Sequence, residues 1–381
     1  MHTGDRFSAG EVRCAIIGVG AMGKKYAELI GGGKIAGLSL TAVCCRGDSS
    51  ARWAKENLGG KVALFRSEDE LYKSGDLFDA VLIVTPHKLH PDMSMRALKA
   101  GKHVMCDKPA AVTAADAKKV NAVADGAKKI YAMMCHQRTY EKYIKIKRIL
   151  SDGTIGKVER VLMESSNFLR TRAYHLSGDW RSSWTGEGGG ALINQGYHLI
   201  DMWNYLFGMP QTLYAEIPFG KYNPFAVDDE ATIVMRYPEK MTGTFVITTG
   251  EGAPCERLEI CGTKGRALLE GDKLSLTLFD CDVREYLRTA SATSRQNLGQ
   301  AVQEYTFTGG GQAYEIMLKN FADAILHGEE LIADGRESAA ALEIINAAYL
   351  SAWKGIRVEL PVDGDIYAAE LKNREDEEGK K

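Results

Sequence analysis

The feature that most constrains this chain is the stretch 12–25, VRCAIIGVGAMGKK. An apolar run leads into Gly18-x-Gly20-x-x-Gly23, and a helix-compatible segment follows. Strand, glycine turn and helix form the order that a dinucleotide-binding turn requires. Gly18 allows turn dihedrals that a Cβ resists, Gly20 leaves room for a pyrophosphate, and Gly23 lets helix and strand pack closely. The stretch therefore predicts a phosphate-binding turn at a helix N-terminus, the alternative being a glycine-rich turn without a ligand.

Length and composition narrow the class of protein. The 381 residues suggest two domains, and 45% hydrophobic with 26% charged residues is ordinary for a globular protein with a full core. The net charge of −2 and the lack of a dense Lys/Arg run predict no nucleic-acid partner. No apolar stretch reaches the roughly 18 residues of a membrane helix, which predicts no membrane association. The N-terminus lacks the apolar core of a signal peptide, and eight scattered cysteines without a CxxC pair predict reduced thiols, no metal site and a cytoplasmic location.

Strand and helix patterns alternate up to about residue 136 and then change. Before that point we predict five buried strands with helices between them, which indicates a parallel sheet covered on both faces. One of these helices is expected to begin with Thr113 as its N-cap. The strands are predicted at 12–17, 38–45, 79–84, 103–106 and 130–135.

The remainder reads as a helix over 140–150 followed by strands with short polar links, which favours antiparallel connections. These strands are predicted at 157–166, 230–237, 241–249, 257–262 and 267–270. Two late helices carry apolar stripes that are most simply core positions, including Ile316 on the first of them. A last strand is predicted at 356–360, and the charged tail 373–381 is expected to fray.

The end of the second strand bears on which nucleotide binds. An NAD site usually places an Asp or Glu about twenty residues past the glycines, where it accepts from the adenosine ribose. This chain has Cys45 followed by Arg46 there. A guanidinium without a carboxylate favours a 2′-phosphate and hence NADP over NAD, although Asp48 lies close by. The alternative is that Arg46 only stacks on the adenine or faces solvent.

The stretch 169–208 is the richest in potential chemistry. After a run of glycines it places Asn194, His198 and Asp201 at i, i+4 and i+7, which is one face of a helix. From the spacing alone, His198 is as well explained by a structural histidine as by a catalytic one.

Five short motifs occur along the chain in an order that resembles a known protein family. GVGAMG, TPHKLH, HVMCDKP, SDGTIG and GGALINQGYHLID together resemble the glucose–fructose oxidoreductase, inositol dehydrogenase and MocA family, over about residues 11–362. The resemblance implies an α/β protein: an N-terminal Rossmann NAD(P)-binding domain, here 1–136, and a C-terminal α/β domain with a large, mainly antiparallel open sheet, here 137–381. It also implies a substrate-binding and oligomerisation role for the second domain, and hence a homodimer or homotetramer.

Motif positions imply site residues. The family's E-K-P is here Asp107-Lys108-Pro109, so Lys108 positions or polarises the substrate hydroxyl. The family's D-x-x-x-H is here Asn194-x-x-x-His198, so His198 is the general base and Asn194, an amide, orients the substrate. The implied cofactor-binding residues are Gly18, Gly20, Met22, Gly23, Arg46, Thr85, Pro86, His90, Asp107 and Lys108.

Further side chains are candidates for substrate contact, each with a core or surface role as the alternative. Tryptophans can stack on the apolar face of a sugar ring and arginines can bind hydroxyls or a carboxylate. The predicted substrate-binding set is Arg138, Arg172, Trp180, Arg181, Trp184, Asn194 and His198.

These residues predict an NAD(P)-dependent oxidoreductase acting on a secondary hydroxyl of a sugar, glycoside or cyclitol. One alternative is a redox-neutral glycosidase or lyase that acts through a transient 3-keto sugar and restores its NAD. The other is a non-catalytic NAD(P)-binding sensor, against which the presence of both Lys108 and His198 weighs.

Overall fold

A computed structural model describes residues 10–291, 293–294 and 297–380. Contacts between residues divide these into two compact units. The first unit comprises residues 10–139 together with 311–342, and the second comprises 140–310 together with 343–380. The sequence predicted two consecutive ranges, 1–136 and 137–381. The observed grouping differs because residues 311–342, which the prediction placed in the second domain, belong to the first unit. Residues 1–9 and 381, which the predicted ranges included, lie outside the described residues.

The first unit contains a six-stranded, all-parallel sheet, as the alternating pattern predicted. Its strand order is β3-β2-β1-β4-β5-β6, so the order reverses direction beside β1. Ligands bind at such a switch point, outside the carboxyl ends of the strands. The strands are β1 (Val12–Ile17), β2 (Leu38–Cys44), β3 (Ala63–Phe65), β4 (Ala80–Ile83), β5 (His103–Cys106) and β6 (Tyr131–Met133).

The helices of the first unit connect these strands. The Thr113 hydroxyl accepts from the Asp116 N–H at 3.0 Å, which confirms the predicted N-cap. The helices between the strands are α1 (Ala21–Gly31), α2 (Asp48–Asn57), α3 (Glu68–Lys73), α4 (His90–Lys99) and α5 (Ala114–Ala127).

The returning segment Gly311–Leu342 completes the edge of the first sheet. The Met133 N–H of β6 donates to the Ala333 carbonyl at 3.1 Å, and Ala132 and Asp334 form an antiparallel bridge. The apolar stripe predicted on its helix, numbered α11 in chain order (Ala313–His327), is largely buried. Ile316 is the exception: 43% of its surface is exposed, because it lies off the buried face.

The second unit is built on a nine-stranded sheet, which confirms the predicted large, mainly antiparallel architecture. One neighbouring pair, β7 and β10, is parallel, and the other neighbours are antiparallel. The order is β14-β13-β12-β11-β7-β10-β9-β8-β15. The strands are β7 (Val158–Ser165), β8 (Thr212–Glu216), β9 (Glu230–Arg236), β10 (Thr242–Thr248), β11 (Glu256–Gly262), β12 (Gly265–Glu270), β13 (Lys273–Phe279), β14 (Gln300–Thr306) and β15 (Val358–Glu359).

Helices accompany this sheet. Helix α12 (Ser338–Lys354) begins in the first unit and continues into the second. The others of the second unit are α6 (Glu141–Ser151), α7 (Arg172–His175), α8 (Ala191–Asn194), α9 (Gly196–Phe207), α10 (Val283–Thr289) and α13 (Gly364–Glu378).

Helix α13 corrects the prediction of a frayed tail over 373–381 for residues 373–378, and residue 381 of that prediction lies outside the described residues. Its helical conformation continues to Glu378, and the Glu378 carboxylate accepts from the backbone N–H groups of Trp184 and Thr185, both at 3.0 Å. These long-range hydrogen bonds, together with the burial of Tyr367 and Leu371, hold a highly charged sequence in place. Such contacts leave no trace in local composition.

The structure also describes the cysteines and the apolar character of the helices. All eight cysteines are free thiols, and five of them are buried. Among the helices of the described residues, none combines the length and the apolar character needed to cross a membrane.

Candidate functional site

The glycine turn between β1 and α1 is shaped by sterics. Gly18 has φ +98°, and a Cβ there would overlap the Val84 carbonyl oxygen at the end of β4. A Cβ at Gly23 would overlap the Gly18 carbonyl oxygen in the same way. At Gly20, the N-cap of α1, a Cβ would meet no heavy atom within 4 Å.

This turn fits the phosphates of a dinucleotide. The first N–H groups of a helix lack intrahelical partners, and Gly20 has no side chain to cap them or to obstruct an anion. The predicted Met22 lies half-buried in the first turn of α1. The carboxyl ends of β1 and β4 therefore meet at a turn whose backbone an anion can approach closely.

The carboxyl ends of β2 and β3 bring a second arginine next to the backbone of the predicted one. Arg46 follows β2 and is exposed. Arg66 follows β3, donates to the Arg46 carbonyl at 2.5 Å and forms an ion pair with Asp48 at 2.6 Å. Sequence reasoning missed Arg66 because the short strand β3 was not predicted. Asp48, which had complicated the choice of nucleotide, is thus engaged by a cation.

Histidine 90 links two of the predicted cofactor-binding loops. Its Nε2 lies 2.6 Å from the Thr85 carbonyl oxygen and its Nδ1 lies 2.6 Å from that of Pro109. Burial lowers the pKa of His90, although both carbonyls and the Asp107 carboxylate act to raise it. With 1% of its surface exposed, His90 holds the loop that contains Thr85 and Pro86 to the loop that contains Pro109 rather than presenting its ring to a ligand.

Asp107 and Lys108 follow β5 at the same edge of the sheet. The Asp107 carboxylate accepts from the Lys108 N–H at 2.8 Å and lies 3.4 Å from the Tyr26 hydroxyl. Burial raises the pKa of Asp107, while Lys108 and His90 act to lower it. The predicted contacts Thr85, Asp107 and Lys108 thus follow neighbouring parallel strands, where a nucleotide binds in this class of sheet.

An aromatic group lies next to these residues. His136 stacks on Tyr314 with ring centroids 4.5 Å apart, and the Lys25 ammonium lies 4.0 Å from the Tyr314 ring centre. Burial is the main cause that lowers the pKa of His136 to about 4, and the charges of Lys108 and Lys25 contribute to the same shift. Tyr314 comes from the returning segment, so local sequence gave no signal for this arrangement.

Arg138 does not fit its predicted role in substrate binding. Its side chain is only 2% exposed and forms a short ion pair with Glu337 of the returning segment. A guanidinium engaged in this way links Glu337 to the rest of the first unit, and the sequence could not predict this partner 199 residues away.

In the second unit, several predicted residues converge on Tyr174. Its hydroxyl accepts from Arg181 at 2.9 Å and from Gln195 at 3.0 Å. The guanidinium carbons of Arg170 and Arg181 lie 4.3 and 4.7 Å from the centre of the Tyr174 ring. Arg181 also lies over the Trp180 ring at 4.5 Å, so these residues form one cation–aromatic cluster.

Asn194 belongs to the same cluster. Its amide nitrogen donates to the Glu187 carboxylate and lies 3.4 Å from the Tyr174 hydroxyl. Gln195 has helical dihedrals, so α8 leads directly into α9 and His198 follows Asn194 by one turn, half-buried. Sequence reasoning did not single out Tyr174 or Glu187.

Two other predicted substrate residues lie elsewhere. Trp184 is 2% exposed, packs against Phe219 and Tyr349, and donates from Nε1 to the Ala226 carbonyl at 3.0 Å. Its indole is enclosed in the core, so it does not offer the stacking surface that was predicted. Arg172 lies exposed at the start of α7.

Family models match part of each unit. Residues 12–135 match the oxidoreductase family with an NAD-binding Rossmann fold, and residues 143–268 match the C-terminal domain of GFO/IDH/MocA proteins. The chain belongs to the GFO/IDH/MocA oxidoreductase family. Members of this family bind a nicotinamide cofactor through the first domain, and the glycine turn and the residues after β5 fit that ligand.

Named relatives are similar over part or most of their length. An uncharacterized oxidoreductase, C115.03 of Schizosaccharomyces pombe, is 30% identical over 57% of this chain, which spans only 58% of that protein. Inositol 2-dehydrogenase of Rhizobium meliloti is 24% identical over 89% of this chain and 96% of its own.

Among solved structures, the WlbA dehydrogenase from Bordetella pertussis, in complex with NADH and UDP-GlcNAcA, shares the fold of this GFO/IDH/MocA chain. It superposes with a TM-score of 0.77 and 22% identity, and covers 93% of this chain and 100% of its own. The architecture described above is therefore one that occurs in experimentally determined structures.

Proposed function

We propose that this protein is an NAD(P)-dependent oxidoreductase that acts on a secondary hydroxyl of a sugar, glycoside or cyclitol. The observation that carries the proposal is the glycine turn, where Gly18 and Gly23 tolerate no Cβ while the space over Gly20 is open. The similarity to inositol 2-dehydrogenase, which extends over 96% of that protein, supports a polyol as substrate.

The chemistry assigns different tasks to two residues. Oxidising a secondary alcohol requires a base for the hydroxyl proton and a cation beside the developing alkoxide. In this proposal His198 takes the hydroxyl proton, and the Lys108 ammonium stabilises the oxygen from which it leaves. Asn194 orients the substrate by hydrogen bonding, and Arg181 and Trp180 contribute to the walls of its site. A bound nicotinamide supplies the hydride acceptor.

NADP is the proposed cofactor. Arg46 and Arg66 follow adjacent parallel strands, and the Arg66–Asp48 ion pair reduces the negative charge that would repel a 2′-phosphate. Guanidinium groups bind phosphate through charge-assisted forks, which a ribose hydroxyl does not match. We further propose a homodimer or homotetramer, to be tested by light scattering on the purified protein.

The proposed activity is tested by following reduced nicotinamide absorbance with NADP⁺ or NAD⁺ and a panel of inositols, neutral sugars, sugar acids and aryl glycosides. A steady rise in absorbance is the expected result. Glycoside cleavage without a rise supports the redox-neutral reaction instead. Cofactor binding in calorimetry without any turnover supports a sensor.

The same assay tests the proposed role of His198, and replacement of an exposed histidine serves as the matched control. His198→Ala is expected to lower turnover by roughly 10²–10⁴-fold, the usual contribution of a general base. His327→Ala alters an exposed histidine at the end of α11 and should leave the rate unchanged. A near-normal rate for His198→Ala removes it from the proposed role.

A further inference from the structure

A buried carboxylate lies behind the proposed substrate residues. Glu187 is 3% exposed and has no part in the catalytic roles assigned above. One carboxylate oxygen accepts from the Ser182 N–H at 2.7 Å, and the other accepts from the Asn194 amide nitrogen. The Arg181 guanidinium lies 3.9 Å from this second oxygen and also donates to Tyr174.

An ionised carboxylate accepts hydrogen bonds and donates none. The atom of Asn194 that faces Glu187 is therefore the amide nitrogen and not the oxygen. The Tyr174 hydroxyl, 3.4 Å from the same nitrogen, lies on that side as well. Because an amide is planar, Oδ1 of Asn194 points away from Glu187.

We propose that Glu187 is a positioning residue that fixes Asn194 as a hydrogen-bond acceptor for a substrate hydroxyl. This inference rests on the proposed function and concerns the same site. An asparagine can donate or accept with its outward-facing atom, whereas Asn194 beside Glu187 can only accept. The pair thus presents to the substrate the acceptor that an aspartate would present, and the negative charge resides on Glu187 instead.

A consequence for specificity follows. The group opposite Asn194 must carry a donor, so a polyol with a hydroxyl there is accepted. A deoxy analogue lacks that donor and is expected to lose kcat/KM by about 10-fold or more, because its hydrogen bond to Asn194 is not formed.

Glu187→Gln, Asn194→Asp and the double variant test the arrangement. Glu187→Gln lets the Asn194 side-chain amide rotate so that its oxygen and nitrogen exchange places. We expect kcat/KM to fall by about 10–100-fold as a result, mainly through an increase in KM. Asn194→Asp places two carboxylates within hydrogen-bonding distance, so that they share one proton and activity falls as the pH rises. In the double variant, the amide introduced at position 187 donates to the carboxylate introduced at position 194. The outward acceptor returns, and kcat/KM recovers to within about 5-fold of the native enzyme.

Glu378→Gln is the matched control. Glu378 also accepts from backbone N–H groups of the segment that contains Ser182 and Glu187, but it does so at Trp184 and Thr185. Its replacement is expected to lower the unfolding temperature without changing KM. If Glu187→Gln behaves as Glu378→Gln does, Glu187 has only a structural role and the proposal is overturned.

Thermal unfolding of the cofactor-free variants supplies a readout that requires no turnover. A carboxyl pair with a raised pKa in the folded state is stabilising at low pH, and that stability is lost as the pH rises through the raised value. The unfolding temperature of Asn194→Asp should therefore fall as the pH rises from about 5 to 8. In the double variant, which also contains Glu187→Gln, the unfolding temperature should not fall over this range. Additive, pH-independent effects contradict the proposal even if no substrate is turned over, whereas silence of the native enzyme alone contradicts only the proposed function.

Discussion

At the scale of single residues, the proposed NADP preference depends on two guanidinium groups of which the sequence revealed one. Arg46 was predicted from its place after the second strand. Arg66 lies beside it because β2 and β3 are neighbours in the sheet, and it engages Asp48. Asp48 and Arg66 follow different strands and are about twenty residues apart in sequence. Their ion pair can be predicted only from the order of strands in the sheet, and local sequence patterns do not contain that order.

Replacement of Arg46 tests that preference. Arg46→Ala should weaken NADP binding by about 10–100-fold, since a charge-assisted hydrogen bond is worth roughly 1.5–3 kcal/mol, and should change NAD binding little. The dissociation constants are measured by calorimetry for both nucleotides. Arg148→Ala, which removes an exposed arginine of α6, is the control. Equal losses for NADP and NAD would show that Arg46 does not bind the 2′-phosphate.

His136 makes the stability of the first unit sensitive to acid. Its pKa is about 4 in the folded protein against 6.5 for the ordinary side chain. The unfolded chain therefore binds a proton first, so stability is complete above about pH 6.5 and is lost as the pH falls toward 4. The loss from this residue is about 2–3 kcal/mol between pH 7 and pH 4.5.

The measurement compares urea unfolding of the native protein and His136→Gln at these two pH values. The variant loses the stacking on Tyr314 at both, but its stability should fall less on acidification. His327→Gln, which replaces an exposed histidine, should respond to acid like the native protein. An unchanged acid sensitivity in His136→Gln would contradict the assignment.

At the scale of elements, two glycines of the turn before α1 are expected to have different roles, Gly18 in stability and Gly20 in cofactor binding. Gly18→Ala introduces a Cβ that overlaps the Val84 carbonyl and forces an L-residue to φ +98°. The dihedral alone costs roughly 1–2 kcal/mol, and the overlap adds to it, so the unfolding temperature should drop markedly.

Gly20→Ala should instead fold normally, because its Cβ meets nothing, and should weaken cofactor binding by about 10-fold or more by occupying the space for the phosphates. Gly126→Ala, in α5 and in open space, is the control for adding a Cβ at a helix position away from the proposed phosphate site. Calorimetric unfolding and nucleotide titration of the three variants give both quantities. Normal nucleotide affinity in Gly20→Ala would place the phosphates elsewhere.

The elements also show where sequence reasoning succeeds. Strands β1 and β5 were predicted with their observed bounds, since apolar runs bounded by glycine or charge are a strong local signal. Strand β14 was missed because most of its residues are polar or small and nearly all are exposed at the sheet edge. Helix α13 was missed because its sequence is charged and its docking depends on distant partners.

The candidate site divides in the same way. Gly18, Gly23 and the segment after β5 belong to short motifs whose residues are close in sequence, and their local roles were predictable. Glu187 and Arg66 gain their meaning from neighbours brought to them by the fold. Arg138 and Trp184 have residue types that suit a sugar site, but their partners in space engage them in packing and ion pairing.

At the scale of the whole molecule, the first unit is assembled from two distant segments. Residues 10–139 supply the parallel sheet, and Gly311–Leu342 adds α11, the bridge at Ala132 and the ion pair to Arg138. The boundary predicted near 136 follows the change in pattern, but pattern alone could not show that the chain returns.

Hydrogen exchange measured by mass spectrometry tests this assignment in the full chain. On addition of saturating NADP⁺, peptides from α11 and from β6 should gain protection together, because ligand binding stabilises the cooperative unit that contains them. Peptides from β13, near one end of the second sheet, serve as the comparison. Protection of β6 without any change in α11 would show that the returning segment does not belong to the same cooperative unit.

The return of Gly311–Leu342 has a consequence for synthesis. A ribosome makes a chain from its N-terminus at roughly 5–20 residues per second, and domains usually fold as they emerge. Here β6 has been made long before Ala333, its hydrogen-bonding neighbour, exists. For roughly ten seconds or longer the nascent nucleotide-binding half has an unfinished border, while the whole antiparallel sheet is translated. Chaperones that shield exposed strand edges are expected to act on this protein during that interval.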